Sequence, residues 1–120
     1  REVREPAERP MTRPYDRKRR AILWTWRARR DLEGIGDYIA RDDPVAASRW
    51  IERLFNAVEQ AASMPYSGRV VPEVGEEDVR EIIRGRYRIV YRARPATIVV
   101  LTVFEGHRLL DESDLDGDDR

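Results

Sequence analysis

Apolar residues in the first half of the chain recur at helical spacing. Between Ala28 and Ile39 they are separated by four, three and four residues, which places them on one face of a helix. Asp43 and Pro44 then supply an N-cap and a first helical position, and apolar residues keep helical spacing over positions 47–61. The short connection between the two segments predicts an antiparallel helical hairpin.

Gly34 and Gly36 lie inside the first predicted helix. Each glycine in a helix interior costs about 1 kcal/mol relative to alanine. We therefore expect either a close contact between helices at these positions or a weak first helix.

Strand-like patterns lie on either side of the hairpin. Ala21–Thr25 is a short apolar strand candidate, and alternation places Trp24 and Trp26 on one face of it, where packing against other residues is expected. A loop rich in proline and glycine follows the hairpin. Three further strands are predicted after that loop, at 79–84, 86–94 and 97–104.

The middle strand of these three alternates strictly. Its odd-numbered positions from Tyr87 to Tyr91 are aromatic or aliphatic and are expected to contact the helices. Its even-numbered positions carry Arg86, Arg88 and Arg92 and are expected to form a basic face. The element order β-α-α-β-β-β predicts an α+β fold in which an antiparallel sheet is covered on one face by the helical hairpin.

Charge is unevenly distributed although the formal net charge is zero. Residues 1–30 hold eleven basic and four acidic side chains, whereas residues 111–120 hold one basic and six acidic ones. With few bulky apolar residues at either end, this composition predicts three regions: a flexible basic arm at 1–20, a folded domain at 21–110 and a disordered acidic tail at 111–120.

Composition also excludes several classes of protein. The absence of cysteine excludes a disulfide framework and a thiolate metal site, and no apolar run approaches the roughly 20 residues that span a bilayer. The acidic stretch at 114–119 lacks the spacing of a calcium loop. We therefore expect a soluble cytoplasmic protein that holds no metal and no cofactor.

Residues 79–92 hold five arginines and no lysine. We refer to Arg80, Arg84, Arg86, Arg88 and Arg92 as the arginine cluster. Guanidinium groups pair bidentately with phosphate and carboxylate, whereas a face that is merely solvated usually mixes arginine with lysine. The bias predicts an interaction surface.

Several features in a fixed order resemble a known family. They are Asp31-Leu32 and Tyr38-Ile39 in the first helix, Asp43-Pro44 before the second, Pro65 to Gly68-Arg69 in the loop, Arg80, Tyr87-Arg88-Ile89, and Gly106-His107-Arg108. Together they resemble the RelE/ParE superfamily of bacterial toxins from type II toxin–antitoxin modules, and its ParE-like branch more closely. The resemblance covers residues 22–110 and is consistent with the predicted fold.

The resemblance implies a toxin that inhibits DNA gyrase and is neutralised by a ParD-like antitoxin. RelE-like members instead cleave mRNA on the ribosome without a metal, and a degenerate member would only bind its antitoxin and help it to repress the shared promoter. Contact with operator DNA would then be indirect, through the antitoxin. The fold does not choose between these activities, so the residues must be weighed.

A metal-free ribonuclease needs a base for the 2′-hydroxyl proton, cations for the phosphorane and an acid for the leaving oxygen. If this chain is a nuclease, Arg80, Arg86 and Arg88 would supply the cations and His107, its only histidine, the base. Lys18, its only lysine, lies in the predicted arm, and arginine is a poor base because it stays protonated. The residues therefore favour a toxin that acts by binding its target, rather than an enzyme.

The binding surface for antitoxin or target is predicted in two places. One is the arginine cluster. The other is the end of the last strand, expected to be exposed, which carries Arg108, Leu109 and Leu110.

Overall fold

The computed structural model describes residues 19–106, 110 and 112–116, and within them the chain forms two helices, five strands and one 3₁₀ turn. The elements are, in chain order, β1 (Ala21–Trp24), α1 (Trp26–Ala40), α2 (Pro44–Ser63), β2 (Arg69–Val70), β3 (Val79–Arg84), β4 (Tyr87–Ala93), β5 (Thr97–Glu105) and the 3₁₀ turn (Glu112–Leu115). Among these residues, no helix is both long enough and apolar enough to cross a membrane.

The strands form one sheet in the order β1-β5-β4-β3-β2. β1 runs parallel to β5, and the other neighbouring strands are antiparallel. The predicted α+β fold is confirmed, with the hairpin on one face of the sheet. Two details differ from the prediction: β2 was not expected, and β1 is parallel. Neither detail could be predicted from the sequence. β2 is too short to show an alternating pattern, and the pattern of one strand does not indicate whether it pairs parallel or antiparallel.

Thr25 ends β1 and begins α1. Its hydroxyl oxygen accepts a hydrogen bond from the backbone N–H of Ala28 at 3.0 Å, and the hydroxyl donates to the carbonyl of Leu101 at 3.0 Å. The prediction that both indoles lie on one strand face is therefore wrong, since Trp26 is already helical. Trp24 packs edge-on against Phe55, with ring centroids 5.5 Å apart, while Trp26 remains half exposed.

The second helix begins as predicted. The Asp43 carboxylate accepts from the backbone N–H of Ala46 at 3.0 Å, and Pro44 is the first helical residue. A Cβ at Gly36 would lie 3.3 Å from Ile51 on α2, so the close helix contact expected for the glycine pair occurs at Gly36. A Cβ at Gly34 would meet nothing within 4 Å.

The core between the hairpin and the sheet is built from aliphatic residues of α1 and α2 and from alternate residues of β3, β4 and β5. Tyr87, Ile89 and Tyr91 lie in it, as the alternation predicted. The Tyr91 hydroxyl donates to the carbonyl of Pro65 at 2.6 Å, and burial raises the pKa of Tyr91 to about 12. This bond fixes the end of α2 to the sheet.

The opposite face of the sheet is not the purely basic surface that was expected. A smaller core covers part of it, formed by Val71, Val79, Val90, Leu101, Phe104 and Leu110. Leu110 was predicted to be exposed and is instead buried. The alternation identified the arginines of this face but not the loop residues that fold over the valines between them.

Part of the acidic tail is also ordered, contrary to the prediction of disorder for 111–120. Residues 112–115 form the 3₁₀ turn, Leu115 packs on the smaller core, and the side chain of Asp114 is fully buried. Arg27 at the start of α1 forms an ion pair with Asp114 at 3.0 Å and donates to the carbonyl of Ser113. The partner of Asp114 lies far away in the sequence, so composition alone missed the contact.

We predict that Gly85→Ala strongly destabilises the fold. Gly85 turns β3 into β4 with a φ of 59°, and an added Cβ would lie 2.5 Å from the ring of Trp50. Left-handed backbone strain together with overpacking should lower the free energy of unfolding by about 2–4 kcal/mol in urea titrations. Gly75→Ala is the matched control, because Gly75 has a φ of 72° but open space around it, and should cost about 1 kcal/mol. Equal losses in the two variants would contradict the role of the Trp50 contact.

Candidate functional site

The structure divides the arginine cluster between the two faces of the sheet. Arg80 and Arg84 lie on β3 and make contacts on the hairpin side, with the backbone after α2 and with Gln60 on α2. Arg88 and Arg92 lie on β4 and contact acidic residues on the opposite side. The cluster is therefore not one continuous basic surface.

Arg88 is held in a nearly buried ion-pair network. The Glu81 side chain is fully buried, and its two oxygens accept from Nε of Arg88 at 2.7 Å and from Nε of Arg69. A second carboxylate, Glu73, accepts from Nη2 of Arg88 at 3.1 Å. Burial acts to lower the pKa of Arg88, but the bonds to Glu81 and Glu73 outweigh it, so the pKa is raised and the guanidinium stays charged.

Glu73 also connects this network to the C-terminal segment. Its carboxylate accepts from the backbone N–H of Leu110 at 3.3 Å. Partial burial acts to raise the pKa of Glu73, but hydrogen bonds from its own backbone, from Arg88 and from Leu110 lower it overall. The carboxylate is therefore ionised at neutral pH and neutralises Arg88.

Arg92 and Arg80 are likewise occupied within the chain. Arg92 donates to Glu76 at 3.1 Å and to Asp78 at 3.0 Å. Arg80 donates to the carbonyls of Glu77, Tyr66 and Gly68, at 2.8 to 3.2 Å. Its guanidinium also lies over the Tyr66 ring, 4.9 Å from the centroid. Both arginines hold loops against the sheet, which is a structural role that the sequence interpretation did not give them.

Arg86 is the exposed member of the cluster, and Arg84 beside it is half-buried. Arg84 donates to Gln60 at 2.8 Å, and Arg86 forms an exposed ion pair with Glu105 at 3.1 Å. Ile83 beside them is also exposed. Of the other predicted site residues, His107, Arg108 and Leu109 lie outside the described residues, and Leu110 is buried.

A larger candidate site, which the sequence interpretation missed, lies on the helical hairpin. Trp24 and Trp26 from the start of the domain, Leu32 from α1, and Ile51 and Phe55 from α2 line a groove of about 610 Å³. We refer to it as the hairpin groove. Trp26 and Phe55 are 53% and 45% exposed, which is unusual for such large apolar side chains. One residue in the sequence indicated this site: Phe55 is a large apolar side chain that does not share the core-facing side of α2.

Charged side chains form the rim of the hairpin groove. They are Arg29, Arg30, Glu33 and Asp37, all exposed on α1. The groove continues along α2 past Ala47, Ser48 and Glu52. An apolar floor with a charged rim suits a protein segment with one apolar face better than it suits a small polar substrate.

Comparison with known proteins gives the family of this chain. Residues 22–110 match the family of ParE toxins of the type II toxin–antitoxin system parDE. The chain belongs to the ParE toxin family. Its fold is that of a solved chromosomal ParDE system from P. aeruginosa, with a TM-score of 0.61 and 20% identity over 75% of this chain and 99% of that one.

Two sequence relatives support the assignment to the ParE family. One is described as a putative toxin, Y4kP, from Sinorhizobium fredii, and is 40% identical over 75% of this chain and 92% of its own length. The other is toxin RelE2 from Caulobacter vibrioides, 45% identical over 41% of this chain and 56% of its own length. Membership of the family implies a ParD-like antitoxin as partner.

We predict that removing the Glu81 carboxylate destabilises the protein severely. Glu81→Ala leaves Arg88 nearly buried with only Glu73 to neutralise it, and such a change typically costs about 3–5 kcal/mol. The exposed pair of Arg86 with Glu105 provides the matched control, because Glu105→Ala should cost at most about 1 kcal/mol. Urea unfolding of the two variants measures both values, and a small loss for Glu81→Ala would contradict the structural role of the network.

We predict that the contribution of Glu73 to stability depends on pH. Because the folded-state pKa of Glu73 is lowered below 4.5, its ionised form stabilises the fold above that pH. This stabilisation is lost as the pH falls below 4.5 and through the folded-state pKa. Urea titrations should therefore show Glu73→Gln less stable than the parent at pH 7, with the difference shrinking towards pH 3. A difference that is constant over this range would contradict the prediction.

Proposed function

We propose that this ParE-family toxin arrests growth by binding DNA gyrase, and that a ParD-like antitoxin holds it inactive in the bacterial cytoplasm. The observation that carries the proposal is that most of the arginine cluster is occupied within the chain. Of the three guanidinium groups that a nuclease would turn towards RNA, Arg88 is paired with carboxylates and Arg80 is bonded to backbone carbonyls, while Arg86 is exposed. Such a protein can still bind a partner through its surface, but its occupied arginines are poorly placed to act in RNA cleavage.

The argument against RNA cleavage follows from what the transition state requires. Cations must face the phosphorane in a position where water is excluded, and a base must reach the 2′-hydroxyl. Arg88 is already paired with Glu81 and Glu73, and Arg80 is used by loop carbonyls. His107, the candidate base, lies outside the described residues, and it is the arginines that weigh against RNA cleavage. The arrangement therefore supports a toxin without its own active site.

The surface proposed for the target is the β3–β4 turn. Arg84 and Arg86 flank Gly85 there, and Ile83 adds an exposed apolar side chain. The close contact of Gly85 with Trp50 fixes the turn on α2. Arginine is enriched among the residues that dominate binding energy in protein interfaces, so a turn that presents two arginines suits a protein partner.

The surface proposed for the antitoxin is the hairpin groove. Half-exposed Trp26 and Phe55 would be covered by the apolar face of a partner helix, which removes apolar area from water. The arginine cluster, which we expected to receive the antitoxin, supports this role less well because most of it is occupied. The groove and the β3–β4 turn are then two different surfaces of one toxin.

We predict that purified toxin makes gyrase accumulate broken DNA. Gyrase, ATP and supercoiled plasmid should yield linear DNA when the toxin is added and intact plasmid when the toxin is premixed with its antitoxin. Arg84→Glu/Arg86→Glu should reduce the linear product at least about tenfold, because repulsion replaces attraction at the proposed contact. Arg94→Glu, a single charge reversal at the exposed β4–β5 turn, is the control and should act like the parent.

A negative result in the plasmid assay would contradict the gyrase proposal. Intact plasmid and normal supercoiling, from folded protein that still arrests cell growth, would overturn the gyrase proposal. Cuts in mRNA on programmed ribosomes by the same protein would then replace it with the ribonuclease activity.

A further inference from the structure

The charges on the rim of the hairpin groove change sign from one end of α1 to the other. Arg29 and Arg30 lie towards the Trp26 end of α1, and Glu33 and Asp37 lie towards the other end. Glu52 on α2 adds a third carboxylate where the groove continues. Because α1 rises about 1.5 Å per residue, roughly 12 Å separates position 29 from position 37. One end of the groove is therefore basic and the other acidic, over about two helical turns.

These rim charges have no ion-pair partner in the described part of the chain. Arg29, Arg30, Glu33 and Asp37 are all exposed and form no side-chain hydrogen bond or ion pair there. Arg27, one turn earlier, differs because it is tied to Asp114. A partner can therefore meet the rim charges without first breaking an internal ion pair.

We propose that the hairpin groove selects the direction in which an antitoxin helix binds. The helix lies with its apolar face on Trp26, Ile51 and Phe55. Its acidic end lies at Arg29 and Arg30, and its basic end lies at Glu33 and Asp37. This inference rests on the proposed antitoxin role of the groove and adds to it the charge order of the partner.

Physical reasons favour this occupant over an evenly charged helix. Rim pairs contribute little energy each, but like charges placed opposite each other are repulsive, so charge order decides the register and direction of binding. Lining residues from both α1 and α2 make the floor apolar along its length, so the floor by itself does not distinguish the two directions. The rim supplies the discrimination that the floor lacks.

The test uses two synthetic amphipathic peptides of identical composition and identical leucine positions. In the block peptide, glutamates occupy one half of the polar positions and lysines the other. In the interleaved peptide, the same residues alternate. A free peptide can turn end for end, so the comparison measures charge order without assuming chain direction. Fluorescence anisotropy of labelled peptide, titrated with the full chain, gives each dissociation constant.

The expected result is that the block peptide binds the parent protein about tenfold more tightly than the interleaved one, and that 1 M salt reduces the difference. Arg29→Glu/Arg30→Glu should abolish the preference. The fourfold variant that also carries Glu33→Lys/Asp37→Lys should restore it, because the block peptide can then bind in the opposite direction. Arg49→Glu, an exposed change on α2 outside the residues that line the groove, should keep the parental preference.

Circular dichroism of each variant establishes that it is folded. Equal affinity for both peptides, or no binding of either by folded parent protein, would overturn the inference. Loss of the preference in the fourfold variant would do the same. The titration contains no gyrase, so its failure is distinguishable from failure of the proposed toxin activity, which the plasmid assay measures separately.

Discussion

The buried carboxylate of Glu81 connects more elements of the structure than any single apolar contact described above. It lies on β3 and accepts hydrogen bonds from Arg69 on β2 and Arg88 on β4, so one side chain crosslinks three strands. Arg88 in turn holds Glu73, and Glu73 holds the backbone of Leu110. These bonds tie β2, the loop that carries Glu73 and the C-terminal segment to the rest of the sheet. A buried charge of this kind is tolerated only because each partner is satisfied.

The same network determines how the arginines should be understood. A guanidinium that is nearly buried and paired with two carboxylates is poorly placed to meet a phosphate, whatever its position in the sequence. Arginine was required here because its planar fork reaches two carboxylates at once, which a lysine could not do with the same geometry. The bias towards arginine that indicated an interaction surface thus has, for Arg88 and Arg92, an internal explanation.

The two faces of the sheet consequently serve different purposes. The hairpin side carries the main core and, on its outer surface, an apolar groove with charges that have no partner within the described residues. The other side is closed by the loop from Val71 to Asp78 and by the short segment around Leu115. The charges at the groove rim are therefore available to a partner, whereas at the β3–β4 turn Arg84 and Arg86 are already bonded to Gln60 and Glu105.

Local features were predictable because their causes are local. The helical spacing from Ala28, the Asp43 cap with Pro44, and the alternation of Tyr87, Ile89 and Tyr91 all act over a few residues, and each was confirmed. The family resemblance was predictable for the same reason, since its motifs keep their order along the chain.

The sequence by itself therefore determined the helices, four of the five strands, the face of β4 that enters the core, and the family. Tertiary structure alone decided the direction of β1, the ordering of the acidic segment by Arg27, the neutralisation of the arginine cluster and the existence of the hairpin groove. The physical reason is common to these four. The sequence shows which kinds of group a charged or apolar side chain can bind. The residue that it does bind can lie 7 positions away, as for Arg88 and Glu81, or 87, as for Arg27 and Asp114, and only the packing of the sheet and hairpin brings the two together.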